Sequence, residues 1–115
     1  MGLELNDPED AKLLTLARAN RSRAQALEGA AVRDTDGRTY SAASVDLPSM
    51  HLSALQVAVA MAISSGVKGL EAALVVTDVL AVSEPDASVV RDFAGPGISI
   101  YRADAAGAVL DVVTT

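Results

Sequence analysis

Met50-His51-Leu52-Ser53-Ala54-Leu55-Gln56-Val57-Ala58-Val59-Ala60-Met61-Ala62-Ile63-Ser64-Ser65-Gly66 contains no Asp, Glu, Lys or Arg. Pro48-Ser49 stands in front of it as a helix start, and Gly66 closes it with a residue free to take a left-handed cap. The run predicts a helix from about Met50 to Ser65. A surface helix shows a polar stripe opposite its apolar one, so a helix without charge is expected to be buried on most sides. This element should therefore sit between a sheet and something else.

The flanks supply the sheet. Gly29-Ala30-Ala31-Val32-Arg33 is short and apolar, and Arg38 to Val45 reads as its return strand. Between them Asp34-Thr35-Asp36-Gly37 has turn chemistry, with Asp36-Gly37 suited to positive φ angles. Leu70 to Val76 reads as a buried strand, Ile98-Ser99-Ile100-Tyr101 alternates as another, and Val109 to Val113 is the last. Two further helices complete the pattern. Asp7 is a natural N-cap, Pro8 fits the first helical position, and Glu9 and Asp10 suit the positive end of the dipole. Leu13, Leu14, Ala17 and Ala24 fall on one face of that helix. Pro85 opens the third helix, which runs to about Phe93 and is broken by Gly95-Pro96-Gly97. The order α-β-β-α-β-α-β-β predicts a central sheet covered by helices, within a single domain spanning residues 1–115.

Composition narrows the function. Aromatic residues are Tyr40, Phe93 and Tyr101 alone, so the core must be aliphatic and bury little area per side chain. A modest margin makes association through an apolar face plausible. Net charge is −6, which makes nucleic acid an unfavourable partner, since phosphate contacts dominate that affinity. The charge is nonetheless uneven. Lys12, Arg18, Arg21 and Arg23 cluster early, as a solvated helix face would, with an RNA contact through the arginines as the alternative. With no cysteine in the chain, disulfides, iron–sulfur clusters and thiolate zinc sites are excluded. The first residues have no basic n-region and no apolar run, and no stretch is apolar enough for a membrane span. The expectation is a cytoplasmic protein with no membrane partner.

Several strings resemble the cytidine deaminase family. Leu16-Ala17-Arg18-Ala19-Asn20 looks like its first-helix ARAN. Gly29-Ala30-Ala31-Val32 looks like its VGAAL strand, followed by the same Asp36-Gly37-Arg38 turn. Val57 to Gly66 looks like RVALFKAVSEG, and Asp92-Phe93-Ala94-Gly95-Pro96 looks like EFAGP. Order and spacing match from about Asp10 to Val113. The resemblance implies an α/β fold, a three-layer α/β/α sandwich with a mixed five-stranded sheet, and a homo-oligomer, dimer or tetramer. It also implies a zinc ion with a proton-shuttling glutamate. In that family C-A-E opens the central helix; counting back from Gly66, the ligand falls on Ser53 and the glutamate on Leu55. The P-C-x-x-C ligands fall on Ser83 and Asp86, counting back from Phe93. Two serines and one aspartate make a poor zinc site, and leucine moves no proton. The expectation is a degenerate former site at Ser53, Leu55, Ser83 and Asp86, with no catalytic residue, no metal and no cofactor.

Other residues carry weaker signals. Asp46 stands nearest the family's ribose-holding N-x-E, in a region two residues shorter here, and is a candidate ligand contact. His51, the single histidine, is a second one; at the first turn of a helix it reads more simply as a polar helix-start residue. Asp78, Glu84 and Asp86 could form a weak cation site, but loop and helix-start acids explain them more cheaply. Three functions compete. The favoured one is a catalytically inactive protein acting through association with its own copies or a protein partner. The others are a nucleoside- or nucleotide-binding module in the old cavity, and a residual deaminase or metal-free hydrolase using His51 or the acids.

Overall fold

The structure, a computed structural model, describes residues 3–115. Helix α1 (Pro8–Ala24) begins as its sequence requires: Asp7 caps it, its side chain accepting from the Glu9 N–H at 2.8 Å, and Pro8 opens the first turn. It ends at Gln25, which adopts φ 51° and receives the orphan carbonyls of Arg21 and Ser22 with its backbone N–H. Strands β1 (Gly29–Asp34) and β2 (Thr39–Ala43) form the expected antiparallel hairpin, Val32 opposite Tyr40. At its tip only Gly37 takes a positive φ, 86°, and Asp36 does not.

A second, smaller hairpin follows, β3 (Val45–Leu47) with β4 (Met50–Leu52), and only then helix α2 (Ala54–Ser64). Strand β5 (Leu70–Val76), helix α3 (Glu84–Ala94), strand β6 (Ser99–Ala103) and strand β7 (Val109–Thr114) complete the chain. The main sheet has five strands in the order β2-β1-β5-β6-β7. β5 and β6 run parallel, with α3 in the crossover that parallel neighbours need, and every other neighbour is antiparallel. The sheet is therefore mixed, as the resemblance implied.

Side-chain alternation divides the core between two faces. Ala30 and Val32 of β1, Ala73 and Val75 of β5 and Ile100 of β6 meet Leu55, Ala58, Val59 and Ala62 of α2 and Val90 of α3. Ala31, Ala72, Leu74, Val76 and Ala103 meet Leu13 and Ala17 of α1 on the other face. Leu13, Leu55, Leu74 and Ile100 are among the largest fully buried side chains, each contributing roughly 1.5–3 kcal/mol by leaving water. Small residues let α1 lie close: a Cβ on Gly29 would stand 2.0 Å from the Ala17 carbonyl oxygen.

Three expectations change here. The uncharged run does not start as helix; Met50–Leu52 pairs with β3 because Ser53 and Gln56 form a capping box that fixes the helix start after it. That helix is also less enclosed than its composition suggests. Ala54, Leu55, Ala58, Val59 and Ala62 are buried, but Ala60, Met61 and Ile63 face solvent. On α1, Ala24 is exposed at the last residue of the helix, and Asn20 takes the buried place, donating to Ser41 Oγ at 2.7 Å. Among the described residues no helix is long and apolar enough to cross a membrane.

Candidate functional site

A cavity of about 640 Å³ opens where α1 ends, beside the small hairpin and the start of α2. Glu28 and Thr77 form its floor. Each lies just beyond a strand end, and the β1–β5 register, Gly29 opposite Val76, sets them side by side. Glu28 Oε2 accepts from Thr77 Oγ1 at 2.9 Å, its other carboxylate oxygen faces the Ala54 N–H at 3.4 Å, and its own N–H donates to Ser44 Oγ at 3.2 Å. Thus one carboxylate ties the open end of α2 to the ends of two strands, where the helix dipole favours negative charge. Asp46, His51, Ser53 and Asp78 add polar groups to the lining, and Leu27 and Val79 add apolar ones.

The hairpin presents Asp46 and His51 together. They are cross-strand partners, and His51 Nδ1 lies 2.9 Å from Asp46 Oδ1, with both side chains largely exposed. His51 is therefore not a helix-start residue; it projects from β4, ahead of the cap, and has a carboxylate partner that only strand register reveals. Of the three acids considered as a cation site, Asp78 pairs with Arg21 at 2.9 Å, Glu84 accepts from Ser88, and Asp86 turns to Ser53. They diverge. Among the described residues no three His, Asp or Glu side chains are grouped as a metal site would need.

Ser53, Ser83 and Asp86 do come together. Ser53 caps α2 and Ser83 caps α3, so both hydroxyls sit at helix N-termini that face one another. Ser53 Oγ donates to Asp86 Oδ1 at 2.5 Å while accepting from the Gln56 N–H at 3.1 Å. Ser83 Oγ accepts from the Asp86 N–H at 3.3 Å. Asp86 is buried. Burial pushes its carboxyl above the usual carboxylate range, the nearby Glu28 charge adds to this, and the bonds with Ser53 and Ser83 oppose it. Leu55 points away from this meeting point into the core, with no exposed surface.

The cavity can take a polar ligand through hydroxyl and carboxylate groups that need no metal. Its acids outnumber its one histidine, so it suits hydroxyl donors better than anions. Glu28 and Thr77 escaped notice in the sequence because no local motif marks them; they become neighbours only when β1 and β5 pair.

Comparison with known proteins adds the family. Residues 6–107 match the family model described as cytidine deaminase-like. The chain belongs to the cytidine deaminase-like family. Cytidine deaminase from Burkholderia pseudomallei superposes with a TM-score of 0.79 at 20% identity, over 90% of this chain and 90% of that one. The enzyme from Mycobacterium leprae gives 0.72 at 21% identity, over 96% and 94%. That from Mycobacterium tuberculosis gives 0.61 at 25% identity, over 75% and 81%. The first two likenesses carry the cytidine deaminase-like fold and not its chemistry. No curated protein matches the chain.

Proposed function

We propose that this chain is a cytidine deaminase-like protein without the deamination chemistry, acting through association of its copies. Helix α2 is the observation that carries the reading. Its start holds Ser53, bonded to Asp86, and Leu55, sealed in the core, at the positions where the family resemblance expects a zinc ligand and a glutamate. Zinc is held by thiolate, imidazole or carboxylate donors. Two neutral hydroxyls and a carboxyl whose charge is disfavoured by burial do not fit it. The same helix leaves Met61 and Ile63 exposed on opposite flanks of its buried stripe, with no charge around them on the helix, apolar surface suited to burial against a second copy. Light scattering at micromolar concentration should give an assembly larger than one chain, and Ile63→Glu should dissociate it. A monomer at that concentration overturns the association. Stoichiometric zinc in the purified protein, with ultraviolet turnover of cytidine, overturns the loss of chemistry.

The open cavity favours a second reading, a binding module for a small hydroxyl-bearing ligand such as a nucleoside. Its support is the lining of Glu28, Ser44, Asp46, His51 and Thr77 beside the closed Ser53–Asp86 contact. Calorimetry with a panel of nucleosides decides it: saturable heat that Glu28→Gln weakens supports the reading, and no heat with any member sinks it.

A further inference from the structure

A second groove, of about 660 Å³, lies between the last turns of α1 and the ends of β5 and β6, and is lined by Arg18, Arg21, Ser22, Gln25, Val76 and Ala105. We propose that it is a binding site for a small phosphate ester, with the phosphate held by Arg18 and Arg21. The proposal stands apart from both readings above.

Of the two arginines on this surface, Arg21 is paired with Asp78 and Arg18 still lacks a counter-charge. Arg18 makes no ion pair among the described residues. Its guanidinium is nevertheless placed rather than trailing in solvent: Nη1 lies 2.8 Å from where a Cβ on Gly107 would stand, so the side chain lies over the turn after β6. Glycine at 107 leaves room for it. Arg21 spends one edge on Asp78, through Nη2 at 2.9 Å, and donates from Nε to the Ala26 carbonyl at 3.4 Å. Its Nη1 is buried and has no hydrogen-bond partner. A paired guanidinium with one unmet donor beside the groove, one helical turn from the unpaired guanidinium of Arg18, matches the planar, bidentate way arginine holds phosphate. Ser22 and Gln25 line the same space and can donate further bonds. An ester fits better than bare phosphate, because the groove extends to the exposed Ala105 and exceeds the size of the anion.

Calorimetry on the intact chain with inorganic phosphate, glycerol phosphate and cytidine monophosphate, at matched ionic strength, tests this. Saturable binding is expected, tighter for an ester than for phosphate alone. Arg18→Met should weaken it roughly tenfold, the loss of one charge-assisted contact, and Arg18→Lys by less. Lys68→Met, which removes the same charge away from the groove, should leave it unchanged. Thermal unfolding of each variant checks that the fold is intact; Arg18 is exposed and makes no ion pair, so its loss should shift the midpoint little. Absence of saturable heat with all three anions overturns the site. So does an equal loss in Lys68→Met and Arg18→Met, or binding of a short RNA alone.

Discussion

Ser53 and Asp86, from the starts of two different helices, share a 2.5 Å hydrogen bond, with Asp86 almost wholly buried. The carboxyl is held above its ordinary range by burial and by the Glu28 charge. A carboxyl raised in the native state binds its proton more tightly there than in the unfolded chain. It therefore favours folding most when protonated, and that contribution is lost as pH rises from about 3.9, the unfolded value, through the raised native one. Asp86→Asn keeps an acceptor for Ser53 and removes the buried charge. At neutral pH it should unfold at the same temperature as the natural chain or higher, and the gap should shrink toward low pH. Thermal melts across pH check this; a neutral-pH loss larger than the acid one would contradict it.

Asp34 behaves in the opposite sense. Burial alone would raise its carboxyl, but bonds from the Arg38 N–H at 3.0 Å, the Tyr40 hydroxyl at 2.9 Å and the Asp36 N–H at 2.8 Å outweigh it and hold the group below its usual range. Its stabilisation is complete above about 3.9 and lost as pH falls through the lowered native value. Asp34→Asn should therefore be less stable than the natural chain at neutral pH, with the difference closing in acid. Denaturant midpoints measured down the acid limb give the comparison. A difference that stays constant with pH would mean that the carboxylate charge is not what closes the hairpin turn.

Arg33 joins α1 to the sheet. Its guanidinium meets Asp10 at 2.9 Å and Glu71 at 3.0 Å, and Asp10 also accepts from the Tyr101 hydroxyl at 3.0 Å. Arg33→Met leaves the mostly buried Asp10 without its cation. Removing one partner of a buried pair costs about 3–5 kcal/mol, and the half-exposed Glu71 keeps this case near the lower end. Urea unfolding should show a reduced midpoint with unchanged slope. A loss under 1 kcal/mol, the scale of exposed pairs, would show the pair to be effectively solvated.

Much of this architecture was legible in the chain. Asp7-Pro8, the Asp34–Gly37 turn and the Leu70–Val76 run act through neighbours in sequence, so they announce their elements directly. Met50–Leu52 did not, because three residues ahead of a helix carry no usable period; the deciding signal was the Ser53-x-x-Gln56 capping box, which is local and was readable. The cavity was legible only in part. Ser53, Asp46 and His51 fall in it, but Glu28 and Thr77 owe their contact to strand register across 49 positions. No single-chain pattern encodes that. The exposure of Met61 and Ile63 was hidden for another reason: an uncharged helix reads as buried, although burial depends on how many layers cover it.

The convergence of Ser53, Ser83 and Asp86 can be tested by giving these positions the donors they lack. Both serines cap helices that face each other, and Asp86 bonds to both. Cysteine at all three would place thiolates at two helix N-termini, where the dipoles lower thiol pKa and favour the anion. Ser53→Cys, Ser83→Cys and Asp86→Cys combined should bind zinc with three thiolates at about 2.3 Å and a fourth position open to water. Cobalt substitution should give thiolate charge-transfer absorption, while the natural chain takes up neither metal. Deamination should still be absent, since Leu55 offers no group to move protons and points into the core, away from these positions. A folded triple variant that binds no metal would show that these positions do not converge as the family resemblance assigns them, and with that the inactive reading would lose its structural basis.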